Sequence, residues 1–241
     1  GTLTAGDNYE MTFEGDDFSI TPKEITVMGL TIDDKIYDGT LTASLGTTYS
    51  LDGALTEDEG DVTLDAASGS VLFANANVGN GMEVVAEGIE LTGAAAPNYS
   101  LVQPEELTGN ILPKPITASD VAVVDKVYDG TTIATVTAGT LSGVIAADAG
   151  NVSLSTIAAF EDKNAGTGKS VSDLSLTGTA SANYSLTPPT GVKANITAKP
   201  VTVTANANQS KMYGKDDPTF TYEVAPALII GDELTGSLAR A

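Results

Sequence analysis

The chain has 241 residues, a formal net charge of −21, no His and no Cys. The acidic balance argues against nucleic acid and anionic membranes as partners, because a phosphate-binding face needs clustered Lys and Arg. The absence of Cys excludes a disulfide framework, and the absence of His removes the usual base for a serine nucleophile.

Residues 1–22 alternate apolar and polar side chains around a Gly-Asp-Asp turn at 15–17. Phe13 precedes this turn and Phe18 follows it, and such alternation on both sides of a turn predicts a β-hairpin. Because the chain starts in mid-pattern, we expect it to be an excised piece of a longer sequence.

An internal repeat organises the rest of the chain. Lys-Ile-Tyr-Asp-Gly-Thr at 35–40 returns as Lys-Val-Tyr-Asp-Gly-Thr at 126–131 and, changed, as Lys-Met-Tyr-Gly-Lys at 211–215. A connector with Lys23, Lys114 or Lys199 recurs at the same spacing, and Pro there suits a break between sheets. These connectors predict the module boundaries 23–113, 114–198 and 199–241, of which the last is the N-terminal piece of a further module.

The sequence of the modules predicts β-strands almost throughout. Runs such as 121–124, 172–176 and 201–204 are short, β-branched or alternating, and bounded by Gly, Asn or Asp. Many short strands with turn signals every 8 to 12 residues or so predict an all-β antiparallel sandwich of roughly seven strands.

The Tyr-Asp-Gly triplet is interpreted as structural. Asp-Gly is a turn signal, and a Tyr at a strand end can bury its ring and satisfy its hydroxyl. The pairs Asn98-Tyr99 and Asn183-Tyr184 have the same interpretation: Asn serves the turn and Tyr serves the core.

One family resemblance follows from these motifs. The segment 126–132, with Phe-Glu-Asp-Lys-Asn-Ala-Gly-Thr-Gly-Lys at 160–169 and Ala-Asn-Tyr at 182–184, closely resembles the YDG-type repeats of bacterial cell-surface adhesins. Residues 199–241 resemble the related MBG repeat, and residues 1–22 resemble the end of one. The resemblance implies tandem Ig-like β-sandwich modules in an elongated arrangement, and no enzymatic activity.

We therefore predict a non-enzymatic stalk or spacer segment of a bacterial surface or secreted adhesin-like protein, located outside the cell. The alternative is an adhesive module that binds a host glycan or protein through sandwich loops. The expected partners are neighbouring modules of the parent protein. The two end pieces, 1–22 and 199–241, leave two options open: they pair head to tail between chains by strand addition, or they pack on the adjacent module.

No catalytic, cofactor-binding or metal-binding residue is predicted. Calcium at the acidic clusters is the less favoured alternative to solvated turns; these clusters lie at 16–17, 33–34, 57–61 and 216–217. A second open alternative is an isopeptide bond, which would need a buried repeat Lys beside Asn98 or Asn183 and a carboxylate.

Overall fold

The structure is a computed structural model that describes residues 3–4 and 6–240. The chain forms two units. Unit 1 comprises Gly1–Lys35 and Thr40–Ile111, and unit 2 comprises Ile36–Gly39 and Leu112–Ala241. The four residues 36–39, which contain the first Tyr-Asp-Gly triplet, thus belong to unit 2.

Residues 23–112 contain short strands and two 3-10 turns, joined by loops. The strands are β1 (Lys23–Met28), β2 (Lys35–Ile36), β3 (Ser50–Asp52), β4 (Thr63–Asp65), β5 (Ser70–Phe73), β6 (Gly79–Glu87), β7 (Glu90–Thr92), β8 (Tyr99–Leu101) and β9 (Leu107–Leu112). The 3-10 turns are Thr56–Asp58 and Ala96–Asn98. The strands form sheets with the orders β3-β1-β8, β2-β9-β6-β5 and β4-β7.

The core of unit 1 follows from the two-residue period of its strands. In β5 every second residue is buried, and Phe73 is among the most buried side chains. Ile25 of β1, Val62 and Tyr99 of β8 form one apolar cluster. Alternation of this kind places one face of each strand against the core and the other in solvent.

Unit 2 repeats this plan. Its strands are β10 (Lys114–Val123), β11 (Lys126–Val127), β12 (Ile133–Ser142), β13 (Ser153–Leu154), β14 (Ile157–Phe160), β15 (Gly166–Ser172), β16 (Leu176–Thr177), β17 (Tyr184–Thr187), β18 (Lys193–Thr197), β19 (Thr202–Ala205) and β20 (Tyr222–Ala225). The two longest, β10 and β12, each have ten residues. Two 3-10 turns lie at Ala146–Asp148 and Ser181–Asn183. The sheet orders are β11-β18-β15-β14-β12-β10-β17, β13-β16 and β19-β20.

The long strand β10 lies next to one edge of the seven-stranded sheet, between β12 and β17. Its start pairs with β17, and its pairing with β12 shifts register between Ser119 and Ala122. Asp120 adopts a positive φ of 53° at this irregularity. A bulge bends a strand and increases its twist, which lets the sheet curve around a core that includes Val136, Phe160 and Ile196.

The predicted all-β fold class of β-sandwich modules is confirmed. Most pairings are antiparallel, as predicted. The pairings of β1 with β8, β10 with β17 and β11 with β18 are parallel. Hydropathy alternation has the same period in both pairing modes, so it does not distinguish them.

Two local predictions are wrong. Residues 6–22 contain no strand, and Phe13 and Phe18 are exposed; an isolated two-stranded hairpin is marginal in water because it buries too little apolar surface. The predicted strand 172–176 is interrupted, since Asp173 has a φ of 59° between the end of β15 and the start of β16.

Within the described part of the chain, we find no helix with the length and hydropathy needed to span a membrane.

Candidate functional site

The candidate site is built from the repeated Lys-x-Tyr-Asp-Gly turns. In the second copy, Lys126 Nζ donates to Asp129 Oδ1 at 2.8 Å and to the carbonyl of Thr131 at 2.8 Å. Asp129 Oδ1 also accepts the Thr131 amide at 2.9 Å. The hydrogen bond from Lys126 is the main reason that the pKa of Asp129 falls to about 2. With Gly130 at a φ of 81°, the turn is held in one conformation.

The first copy is held by the same lysine. Lys35 Nζ donates to the carbonyl of Thr40 at 2.8 Å, to its hydroxyl at 2.7 Å and to the carbonyl of Thr42 at 2.9 Å. Gly39 has a φ of 80°. Both turns therefore confirm the Asp-Gly prediction, and the recurring lysines satisfy backbone carbonyls within the turn.

Each turn points its tyrosine at an aspartate far away in the sequence. The Tyr37 hydroxyl donates to Asp148 Oδ2 at 2.9 Å, and the Tyr128 hydroxyl donates to Asp232 Oδ2 at 2.8 Å. Both contacts lie inside unit 2. The pKa of Tyr37 is raised mainly by burial, and that of Tyr128 mainly by its hydrogen bond to Asp232. Both tyrosines thus donate as neutral phenols.

The two receiving aspartates belong to a recurring aliphatic-x-x-Asp turn, which we call the aspartate turn. It occurs at 55–58, 145–148 and 229–232. In each, the aspartate amide donates to the carbonyl three residues earlier, at 2.9, 3.0 and 3.0 Å respectively. The aliphatic residue and the carboxylate are thereby brought to one side of a tight turn.

The glycine of each tyrosine turn lies against the aliphatic residue of its aspartate turn. A Cβ added at Gly39 would lie 2.7 Å from Ile145 Cδ1, and one added at Gly130 would lie 2.7 Å from Ile229 Cγ2. Glycine is therefore needed twice over, for its positive φ and for the close approach.

A second tyrosine completes the site at Asp148. Tyr184 donates to Asp148 Oδ2 at 2.6 Å and accepts the Ile145 amide at 3.2 Å. Its ring meets that of Tyr37 edge to face, with centroids 5.5 Å apart. Burial, followed by the bond to Asp148, raises the pKa of Tyr184 to about 12. The side chain of Asn183 also hydrogen-bonds to Tyr37.

Unit 1 contains the same second tyrosine. Tyr99 donates to Asp58 Oδ2 at 2.6 Å and accepts the Leu55 amide at 3.0 Å. The hydrogen bond to Asp58 is the main reason that the pKa of Tyr99 is raised. The Asn-Tyr pairs thus anchor the aspartate turns from within their own units.

The repeat lysines do not meet the burial condition for an isopeptide bond. Lys23 is exposed and donates to the Gly53 carbonyl, and the other five are half-buried or exposed. Lys169 is buried, and it donates to Asp162 Oδ2 at 2.7 Å. Asn98 is exposed, whereas Asn183 is buried. The isopeptide hypothesis gains no support from these positions.

The acidic clusters singled out in the sequence stay apart. Among the described residues, no three Asp or Glu side chains gather in a way that could hold a metal ion. Asp58, which the sequence offered as a calcium ligand, instead accepts a tyrosine hydroxyl. Calcium binding remains an untested alternative.

Comparison with known families bears on the repeat. A model of the YDG domain matches residues 21–107 and 112–191, which is more than half of the chain. The chain belongs to the YDG domain family. A model of the MBG domain (YGX type) matches residues 201–241. No curated protein and no solved structure matches. The resemblance drawn from the Lys-x-Tyr-Asp-Gly motif is therefore confirmed, and we refer below to two YDG copies and an MBG segment.

Sequence reasoning missed Asp148 and Asp232 as the partners of the YDG tyrosines. The signal was present, since an aliphatic residue stands three positions before each aspartate, as it does before Asp58.

Proposed function

We propose that the chain is a non-enzymatic stalk or spacer segment of a bacterial surface or secreted adhesin-like protein, located outside the cell. The observation that carries the proposal is the contact between Tyr128 and Asp232. It joins the second YDG copy to the MBG segment inside unit 2.

A spacer needs coupled segments, and two interactions couple these two. The Tyr128 hydroxyl bonds to the Asp232 carboxylate, and the turn glycine Gly130 lies on Ile229. A hydrogen bond to a charged group is stronger than one between neutral groups. The net charge of −21 would also keep neighbouring stalks apart.

The non-enzymatic part of the proposal rests on the chemistry of the available groups. The chain has neither His nor Cys. Asp148 accepts hydroxyls from both Tyr37 and Tyr184 on one oxygen. A carboxylate that binds two neutral phenols is suited to fixing structure.

Backbone ¹⁵N relaxation of the full chain tests the spacer proposal. We expect residues 112–197 and 202–238 to share one rotational correlation time, and Tyr128→Ala to shorten that of 202–238 alone. Tyr9→Ala is the matched control, because Tyr9 is exposed. Independent tumbling of the two segments in the parent chain, or no change in Tyr128→Ala, would contradict coupling through this contact.

The adhesive alternative has one observation in its favour. Met212 and Tyr213, in the MBG segment, present exposed apolar surface. Glycan-array binding by the parent chain that is lost in Tyr213→Ala would favour adhesion over the spacer proposal.

A further inference from the structure

One of the three aspartate turns differs from the others in what covers it. The turns at 145–148 and 229–232 each receive a tyrosine turn, from residues 36–39 and 128–130. At 55–58 the anchoring Tyr99 is in place, but the described residues supply no second tyrosine. Leu55 is 45% exposed, whereas its counterparts Ile145 and Ile229 are half-buried.

An open cleft lies at this position in unit 1. It has a volume of about 550 Å³ and is lined by Ile20, Pro22, Lys23, Leu55, Asp58 and Tyr99, among others. The lining includes the counterparts of the groups that hold Tyr37 in unit 2. Leu55 corresponds to Ile145, Asp58 to Asp148 and Tyr99 to Tyr184. A carboxylate, an aromatic edge and an aliphatic side chain are therefore arranged as a receptor for a phenol.

The chain also carries a tyrosine turn that contacts no aspartate turn among the described residues. Residues 211–214 are the third copy of the repeat motif, and Tyr213 is fully exposed. Lys211 Nζ binds Asp217 Oδ1 at 2.5 Å, and Gly214 has a φ of 82°. This turn therefore shares a paired lysine and a positive-φ glycine with the two docked turns, although its glycine lies one position closer to the tyrosine and its lysine pairs with a residue further along the chain.

We propose that the Tyr213 turn of one copy of the chain docks in the Asp58–Tyr99 cleft of a second copy. The Tyr213 hydroxyl donates to Asp58, and its ring packs on Leu55 and against the edge of Tyr99. Lys215 next to the turn can complement Glu57 and Asp58, which line the cleft together with Lys23, while Lys211 is already paired with Asp217.

The proposed contact uses two different surfaces, so it is heterologous. Such a contact leaves a free turn at one end of a dimer and a free cleft at the other, and it propagates into open chains unless its geometry closes a ring. Strand addition between the end segments, one of the two options left open by the sequence, does not require Tyr213, so the Tyr213→Ala variant distinguishes it from the proposed docking.

Sedimentation velocity of the full chain from about 10 µM to about 1 mM tests the proposal. The parent chain should form head-to-tail species at the upper end of this range. Tyr213→Ala and Asp58→Ala should each weaken self-association by at least about tenfold, and Tyr9→Ala should not. Leu55→Asp is a second variant of the cleft. Because Leu55 is exposed, this substitution should leave folding intact.

Mixing the variants gives the decisive result. Tyr213→Ala keeps an intact cleft and Leu55→Asp keeps an intact turn, so an equimolar mixture should recover a dimer that cannot grow further. A strictly monomeric parent at the highest concentration would overturn the proposal. So would a Tyr213→Ala variant that associates as strongly as the parent. Neither result bears on the Tyr128 contact, so failure here is distinguishable from failure of the spacer proposal.

Discussion

The Asp148 carboxylate receives hydroxyl hydrogens from Tyr37 and Tyr184 on the same oxygen, at 2.9 and 2.6 Å. This arrangement favours neutral tyrosines, since ionising either phenol would place its negative charge against the carboxylate. The pKa of Tyr184 is consequently raised to about 12, with burial as the larger cause and Asp148 as the next.

Asp148→Asn is predicted to lower the pKa of Tyr184 while leaving it above 10, because the larger contribution from burial remains. Tyrosinate absorbance in a pH titration measures this pKa, and Tyr184→Phe identifies the transition. An unchanged titration would contradict a role for the Asp148 charge. In the parent, a raised tyrosine pKa contributes stability that is fully present below pH 10 or so and is lost as pH rises through about 12.

At the scale of the element, the docked turns show why glycine follows Tyr-Asp. The positive φ of Gly39 and Gly130 is a local requirement of the turn, and it is visible in the sequence as an Asp-Gly pair. The contact of each glycine with Ile145 or Ile229 is a long-range requirement, and nothing in the local sequence indicates it.

Gly130→Ala is predicted to destabilise the chain by more than Gly150→Ala does. Both glycines have a strongly positive φ, which costs about 1–2 kcal/mol for alanine. Only at Gly130 would the new methyl meet Ile229, at 2.7 Å, whereas nothing lies within 4 Å of it at Gly150. Overpacking should add at least about 1 kcal/mol.

Chemical denaturation of each variant beside the parent chain measures this difference. Equal losses of stability in Gly130→Ala and Gly150→Ala would show that Ile229 moves aside freely and that the turn is not tightly docked.

The strands show where local reasoning succeeds at this scale. The run 201–204 overlaps β19, and 121–124 overlaps the end of β10. The hairpin expected around Phe13 and Phe18 does not form, although its alternation is as regular. Alternation specifies which face a strand would bury, but a strand forms only where other strands provide a surface to cover that face.

At the scale of the whole molecule, charge is the dominant sequence property. A formal charge of −21 at pH 7 repels other copies of the chain, and protonation removes that repulsion near the isoelectric point of about 4.1. Specific docking of Tyr213 and nonspecific association should therefore depend differently on pH.

Light scattering is predicted to rise as pH falls from 7 toward 4.1, for Tyr213→Ala as much as for the parent chain, because loss of net charge acts on the whole surface. Added salt at pH 7, which screens charge without protonating carboxylates, is the control for repulsion alone. Scattering that stays flat through the isoelectric point would contradict the view that charge keeps the chains apart.

The sequence by itself determined the repeat, the all-β class and the two Asp-Gly turns, because these depend on residue spacing, side-chain alternation and backbone φ preferences within a few positions. The tertiary structure decided which carboxylate each turn meets. Tyr37 and Asp148 are 111 residues apart, and Tyr128 and Asp232 are 104 apart. Contacts over such separations depend on how the strands return past one another. The same folding leaves the Asp58 cleft open and Tyr213 exposed, although their sequence motifs resemble those of the occupied sites.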